Sequence, residues 1–421
     1  VIDPDALNVW YGERLLGYLW CNADGRMGFQ YDAAWLEDGF RLSVRLPLQA
    51  EPFPPEGRSA HAFFANLLPE GGARERLVRS RRLSDNDFLL LREFGGDCAG
   101  ALSLLPVEAD PATAGAYAPL SSTELHQLVL QHGRAAYAPR HGGPQPRLSL
   151  AGAQDKCPIF RGADGHYALP TGTAASSHIL KFRVDEFANV PLYEAFMNRL
   201  AQRVGVPTPE THLEQSEEEA FLVIQRFDRT WQDGTLRRLH QEDLLQALGP
   251  ERFRGKYEAE GGPGFPECAG LVREVSEDPI TDLRNLLRWQ IFNTLAGNAD
   301  GHAKNLALMQ VVPGSNRWRL APFYDLVCTR AIDGIDTRLA MSIGGEWEPE
   351  QVTAEHWHAL ARASGLRPRL VDELRAEMTA QLPTACAATR AEFETAYGPL
   401  PALQRIEDLL PPAAPDPSQD A

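Results

Sequence analysis

The run Gly297-Asn298-Ala299-Asp300-Gly301-His302-Ala303-Lys304-Asn305 puts a carboxylate five positions before a carboxamide. Asp-x-x-x-x-Asn is the spacing with which a catalytic loop moves a phosphoryl group onto a hydroxyl. That reaction needs one carboxylate to accept the hydroxyl proton, and oxygen ligands to hold Mg²⁺ against the phosphates. Asp300 is the candidate base and Asn305 a candidate metal ligand. Asp325, in Ala321-Pro322-Phe323-Tyr324-Asp325-Leu326, follows after one hairpin-length segment as the candidate second ligand. The plainer reading is a turn, since Asp-Gly and Asn are ordinary turn formers; the later aspartate in its apolar setting favours chemistry. His302 and Lys304 sit inside the loop and count with the nucleotide contacts. His302 reads equally as a residue that orders the loop, and a His/Asp metal site lacks a third ligand nearby.

A nucleotide also needs cations and a closely approaching backbone. Lys181 ends the apolar run His178-Ile179-Leu180-Lys181. Facing a cleft it would neutralise phosphates; on an edge strand it would face solvent. Glu194, on the following helix, is a candidate partner for Lys181 and equally a solvated helix-face glutamate. The small residues of Ser149-Leu150-Ala151-Gly152-Ala153-Gln154-Asp155-Lys156 let backbone N–H groups approach phosphate oxygens. Ala151, Gly152, Ala153, Gln154 and Lys156 are the candidate contacts, against the alternative of a tight turn between strands. In Gln225-Arg226-Phe227-Asp228-Arg229, Gln225 and Phe227 offer backbone to adenine and Asp228 a carboxylate to ribose; a structural Arg/Asp turn is the alternative.

Other chemistries lack their motifs. No GxxxxGK[ST], GxSxG or HExxH appears, and no GxGxxG follows a strand. The six cysteines form no CxxC pair, which argues against zinc and a disulfide framework and fits a reducing cytoplasm. A formal charge of -16 disfavours direct binding to DNA phosphates or anionic lipid. No run approaches the length of a membrane span, so a soluble, cytoplasmic protein is expected.

These residues need elements to hold them. Residues 3–50 read as strands, 60–91 as helices, and 95–105 as a Gly-rich turn and a strand, which makes residues 1–108 an α+β module. Residues 109–146, rich in Ala, Pro and Gly around one helix at 122–132, form the linker candidate. Strands return over 147–229, interrupted by a helix in which Leu192, Phe196, Leu200 and Val204 recur at a four-residue step before Gly205. Residues 230–410 read as mostly helical, with strand-like pieces near 306–312 and 317–320. The Pro-rich stretch 411–421 is expected to be disordered.

Taken together, residues 149–156, 178–181, 225–229, 240–249, 300–305 and 322–325, with Phe64-Ala65-Asn66-Leu67-Leu68-Pro69-Glu70-Gly71 in the first module, resemble the HipA toxins, serine/threonine kinases of bacterial toxin–antitoxin systems. The resemblance covers nearly the full length. It implies a two-lobed, protein-kinase-like α+β fold, with an extra N-terminal subdomain on a small strand-rich N-lobe and a mostly helical C-lobe. It implies ATP- and Mg²⁺-dependent phosphorylation of a protein serine, on an aminoacyl-tRNA synthetase in the best-known members, arresting growth and favouring persistence. The implied partner is a HipB-type helix-turn-helix antitoxin that brings DNA with it; no membrane partner is implied. By position Asp300 becomes the base, Asn305 and Asp325 the Mg²⁺ ligands, Lys181 a phosphate contact and Ser149 a self-phosphorylated residue. Tyr193-Glu194 departs from the usual Asn-Glu, which weakens the transfer to Glu194. A catalytically inactive corepressor and a small-molecule kinase are the competing readings.

Overall fold

The computed structural model describes residues 6–112, 115–137, 145–152, 154–184, 187 and 189–411. The chain forms two compact units, the first from residues 1–184, 212–252 and 308–319, the second from 185–211, 253–307 and 320–421. In the first unit, β1 (Leu7–Tyr11), β2 (Arg14–Cys21), β3 (Met27–Tyr31) and β4 (Leu102–Pro106) make an antiparallel sheet in the order β3-β2-β1-β4. Gly17 is required where β2 meets β3, because a Cβ there would lie 2.2 Å from the Gln30 carbonyl oxygen. A short helix α1 (Ala33–Asp38) follows, capped by Asp32. The expected helices over 60–91 are α2 (Ser59–Ala65), α3 (Gly71–Arg81) and α4 (Asp87–Phe94). Phe63, Phe64, Leu90 and Phe94 pack with Leu7, Val9 and Phe29 in one core. Asn86 caps α4, its Oδ1 accepting the Leu89 N–H.

The second sheet corrects the linker. β5 (Ala116–Pro119), β6 (Lys156–Arg161), β7 (Tyr167–Thr171), β8 (His178–Lys181), β9 (Thr211–Ser216) and β10 (Glu219–Gln225) run in the order β5-β7-β6-β8-β10-β9. β5 comes from the stretch read as a linker, and pairs antiparallel with β7. The helix in that stretch, α5 (Ser122–Leu130), has a Ser121/Glu124 capping box and packs Leu128 and Val129 with Cys157, Ile159, Leu180 and Val223. An exposed four-residue edge strand needs little hydrophobicity, so composition did not reveal it. Residues 113–114 and 138–144 of that stretch, and 412–421 of the expected tail, lie outside the described residues. Between β8 and β9 the chain contributes α6 (Val190–Arg203) to the second unit, stopping before Gly205 at φ +75°.

Residues 230–252 also differ from the expected helical region. A hairpin of β11 (Arg229–Gln232) and β12 (Thr235–Arg238) turns at Asp233 and Gly234, both at positive φ as a two-residue hairpin loop demands. β13 (Gln241–Asp243) and α7 (Leu244–Leu248) follow, the helix capped by Asp243. Later, β14 (Ala307–Gln310) and β15 (Trp318–Leu320) join β13 in a small sheet, of which 308–319 counts with the first unit. The second unit is helical: α8 (Phe265–Val275), α9 (Pro279–Ala296), α10 (Ala354–Ala363), α11 (Pro368–Tyr397) and α12 (Gln404–Glu407) accompany α6. No helix among the described residues is long and apolar enough to cross a membrane.

A buried charge cluster ties the chain before β4 to the segment before β8 and to the β11–β12 hairpin. Asp97, fully buried, accepts from Arg229 at 2.9 Å, Arg238 at 2.8 Å and the Ser176 hydroxyl at 2.6 Å. Asp228 takes the Arg226 guanidinium on both oxygens, at 2.9 and 2.6 Å, and the Gly100 N–H at 2.7 Å. The guanidinium charges outweigh burial and hold both carboxyls below the ordinary aspartate range, where burial alone would raise them. Two carboxylates thus share three buried or nearly buried guanidiniums. Asp97→Ala leaves those cations under-compensated, and should cost about 3–5 kcal/mol of stability. Urea unfolding of the variant measures it; a loss under about 1 kcal/mol would mean the cluster is not a stabilising joint.

Candidate functional site

The second unit carries the candidate base and metal ligands. Helix α9 ends at Gly297, at φ +78°. The chain then folds back, with the Asn298 N–H bonded to the Asn293 carbonyl at 3.0 Å and the Asp300 N–H to the Asn298 side-chain oxygen at 3.2 Å. Gly301 is needed because a Cβ would stand 2.6 Å from the Asn293 amide nitrogen and 3.2 Å from the Trp289 ring. The Asn305 side-chain nitrogen donates to the Asp300 carbonyl at 3.1 Å, which leaves its oxygen as the atom able to hold a cation. Asp325 adopts left-handed backbone, φ 56°, in the segment after β15. Aspartate tolerates that region better than most residues, and such conformations concentrate at functional sites.

Asp300 keeps 45% of its side chain exposed, and its Oδ1 accepts the Tyr257 hydroxyl at 2.7 Å. His302 is buried, its Nε2 3.8 Å from the same oxygen and its ring edge-on to Tyr257 at 5.4 Å. Burial pushes its imidazole down to about 4, against the opposing pull of Asp300 and Asp325. A neutral, enclosed ring brings no charge to a phosphate, so His302 orders the loop. Lys304 is half-buried, and its carbonyl accepts the Tyr324 hydroxyl at 2.8 Å. Among the described residues no group of three His, Cys, Asp or Glu could hold a metal alone. One carboxamide and one carboxylate oxygen instead fit Mg²⁺, which keeps waters and takes phosphate oxygens as further ligands.

The first unit carries the candidate phosphate contacts. β8 lies between β6 and β10, so Lys181 is not on an edge strand, and it is buried. Lys156 stands directly opposite it in the antiparallel register. Gly152 has φ +114°, and a Cβ there would lie 2.7 Å from the Lys156 Nζ, so glycine gives that ammonium its room under the turn. This cradle fits a phosphate chain. Ala151 and Gly152 are half-buried, Gln154 donates to the Phe182 carbonyl at 3.2 Å, and Ala153 lies outside the described residues.

The N-terminal segments grip this loop. The Ser149 hydroxyl, fully buried, donates to the Leu67 carbonyl at 2.8 Å, and its N–H to the Asp97 carbonyl at 3.1 Å. The Glu70 N–H reaches the Gly152 carbonyl at 3.1 Å, and the Asp97 N–H the Arg147 carbonyl at 2.9 Å. Leu67 and Glu70 belong to the Phe-Ala-Asn-Leu-Leu-Pro-Glu-Gly run.

The structure corrects two expectations. Asp228 is no ribose acceptor: it is buried, with both oxygens committed to Arg226 and Gly100, so the Arg/Asp turn is structural. Gln225 ends β10 exposed, and Phe227 is half-buried. Glu194 is fully buried on α6, which excludes a solvated helix face. Tyr257 and Asp97 had not been identified from sequence. Asp97 left a trace, a lone charge in the otherwise uncharged run Phe94-Gly95-Gly96-Asp97-Cys98; Tyr257 left none.

A family model described as the HipA-like C-terminal domain matches residues 148–386, and one described as the HipA N-terminal domain matches 7–105. The protein Y4mE of Sinorhizobium fredii is 39% identical over 376 residues, 87% of each chain. The serine/threonine-protein kinase toxin HipA of Shewanella oneidensis is 29% identical over 397 residues, 90% of this chain and 88% of that one. A solved complex of Shewanella oneidensis HipA, HipB and operator DNA contains a chain that superposes with a TM-score of 0.78 at 27% identity, over 96% of this chain and 97% of that one. The α+β, kinase-like fold expected from sequence agrees with that match.

Proposed function

The chain belongs to the HipA family, and from that premise we propose that it is a serine/threonine-protein kinase toxin that transfers the γ-phosphate of Mg²⁺-ATP to a protein serine. The observation that carries the reading is the loop of the second unit, where Asn305 is tied through its nitrogen to the carbonyl of Asp300, whose own carboxylate is half-exposed. Asp300 accepts the serine proton; Asn305 and Asp325 would hold Mg²⁺; Lys156, Lys181 and the turn at residues 151–154 would hold the phosphates. Gln225 and Phe227 remain the proposed adenine contacts, and Lys304 a nucleotide contact. When bound, Mg²⁺ offsets the charge of the phosphates.

The proposed partner is a HipB-type helix-turn-helix antitoxin, as in the Shewanella oneidensis complex. With a net charge of -16, contact with operator DNA falls mainly to that antitoxin. The proposed substrate is a cytoplasmic protein of translation, an aminoacyl-tRNA synthetase above all, and the outcome growth arrest. Incubation with γ-labelled ATP, Mg²⁺ and a bacterial lysate tests this: a labelled phosphoserine protein is expected. No transfer would indicate a corepressor without catalysis, and label confined to small molecules a small-molecule kinase.

Self-phosphorylation at Ser149 would switch the enzyme off. Its hydroxyl is enclosed and bonded to the Leu67 carbonyl, so the loop must leave that grip before the oxygen can be modified. A phosphate of about -1.5 to -2 charges cannot return against a carbonyl oxygen. ATP affinity of protein with phosphate on Ser149, checked by mass spectrometry, should therefore fall at least tenfold, by about 1.4 kcal/mol. Equal affinity in the two forms refutes the switch.

A further inference from the structure

We infer that Tyr257 is the positioning residue for Asp300: its hydroxyl holds one carboxylate oxygen so that the other meets the substrate serine. The inference rests on the kinase reading above and adds a residue to it. A carboxylate on a half-exposed side chain turns easily about its last torsion, which has only broad minima. A proton acceptor in that condition is poorly aimed. The Tyr257 hydroxyl, 2.7 Å from Asp300 Oδ1, removes the freedom. Oδ2 takes no hydrogen bond among the described residues, and is the oxygen left for the serine. In the transfer, the serine oxygen bonds the γ-phosphorus, ADP leaves with the broken bond's electrons, and the serine proton passes to Asp300 while Tyr257 keeps its own.

The backbone around Tyr257 is built to hold it there. Ala340 ties the two segments together: its N–H donates to the Ala299 carbonyl at 2.8 Å and its carbonyl accepts the Glu258 N–H at 3.1 Å. The residue after Tyr257 is thus fixed against the residue before Asp300. Glu258 then accepts the Ser342 N–H and hydroxyl at 2.6 and 2.9 Å. The Gly262 N–H returns to the Tyr257 carbonyl at 2.8 Å, and a Cβ at Gly262 would lie 2.7 Å from that carbonyl oxygen. The aromatic ring rests against His302, whose neutral imidazole neither competes as a base at neutral pH nor adds a charge.

Tyr257→Phe keeps the ring and its packing and deletes only the donor, so a merely structural role leaves its activity at the wild-type level. A positioning role loses about ten- to a hundredfold in kcat, the range for a hydrogen bond to a charged group, with KM for ATP and thermal stability unchanged. Tyr257→Phe combined with Asp300→Asn should be no slower than Asp300→Asn alone, because the hydroxyl acts through that carboxylate. A second pair removes any dependence on the ring: Tyr257→Gln, which retains a donor, should outperform Tyr257→Leu. Wild-type kcat in Tyr257→Phe, equal rates for the Gln and Leu variants, or a further loss in the double variant each overturn the inference. A wild-type protein that transfers no phosphate overturns the kinase reading and this inference together, which separates the two failures.

Discussion

Asp300→Asn should lower phosphoryl transfer by about 10²–10⁴-fold, the contribution typical of a positioned general base. The substitution preserves size and shape. The bonds that build the loop use the Asp300 backbone, with its N–H on the Asn298 side chain and its carbonyl under the Asn305 side chain, and these survive the change. The Tyr257 hydroxyl can still donate to the remaining amide oxygen. What disappears is the group that can take the serine proton, and one negative charge. ATP affinity should hold, because the proposed phosphate contacts Lys156, Lys181 and residues 151–154 lie on other segments and the Asp300–Asn305 backbone bond is kept. Transfer by a folded Asp300→Asn protein at near the wild-type rate would remove Asp300 from the chemistry.

The residues proposed for the chemistry are legible in the sequence because phosphoryl transfer asks for few residue types at fixed spacing. Asp300, Asn305 and Asp325 stood out for that reason, and the strand under Lys181 showed its apolar run. The helix over 190–203 was equally plain from its period and its glycine stop. The rest depended on pairings distant in sequence. β5 is a strand only because β7 gives it hydrogen bonds, and its own composition reads as linker. Asp228 looked like a binding carboxylate because sequence cannot tell that Arg226 and Gly100 close around it, with Asp97, 131 positions away, in the same buried cluster. Tyr257 acquires meaning only through Ala340, whose backbone N–H and carbonyl tie together segments 43 positions apart. The grip on Ser149 likewise comes from a carbonyl 82 positions earlier.

Phosphoryl transfer as proposed needs a cation, Lys181, on the phosphates as well as the Asp300 carboxylate for the serine proton. Lys181→Met tests that need cleanly. Methionine has nearly the same length and suits a buried site, and thermal unfolding establishes that the variant is folded before rates are compared. Asp300, Asn305 and Asp325 are untouched. A preorganised charge on the transferring phosphoryl group contributes about 10²–10³-fold, and transfer should fall by that much. The deciding measurement is the rate of label transfer from γ-labelled ATP to protein serine by wild type and Lys181→Met at equal Mg²⁺: the account predicts a drop of at least about 10²-fold in a folded variant, and equal rates would contradict it.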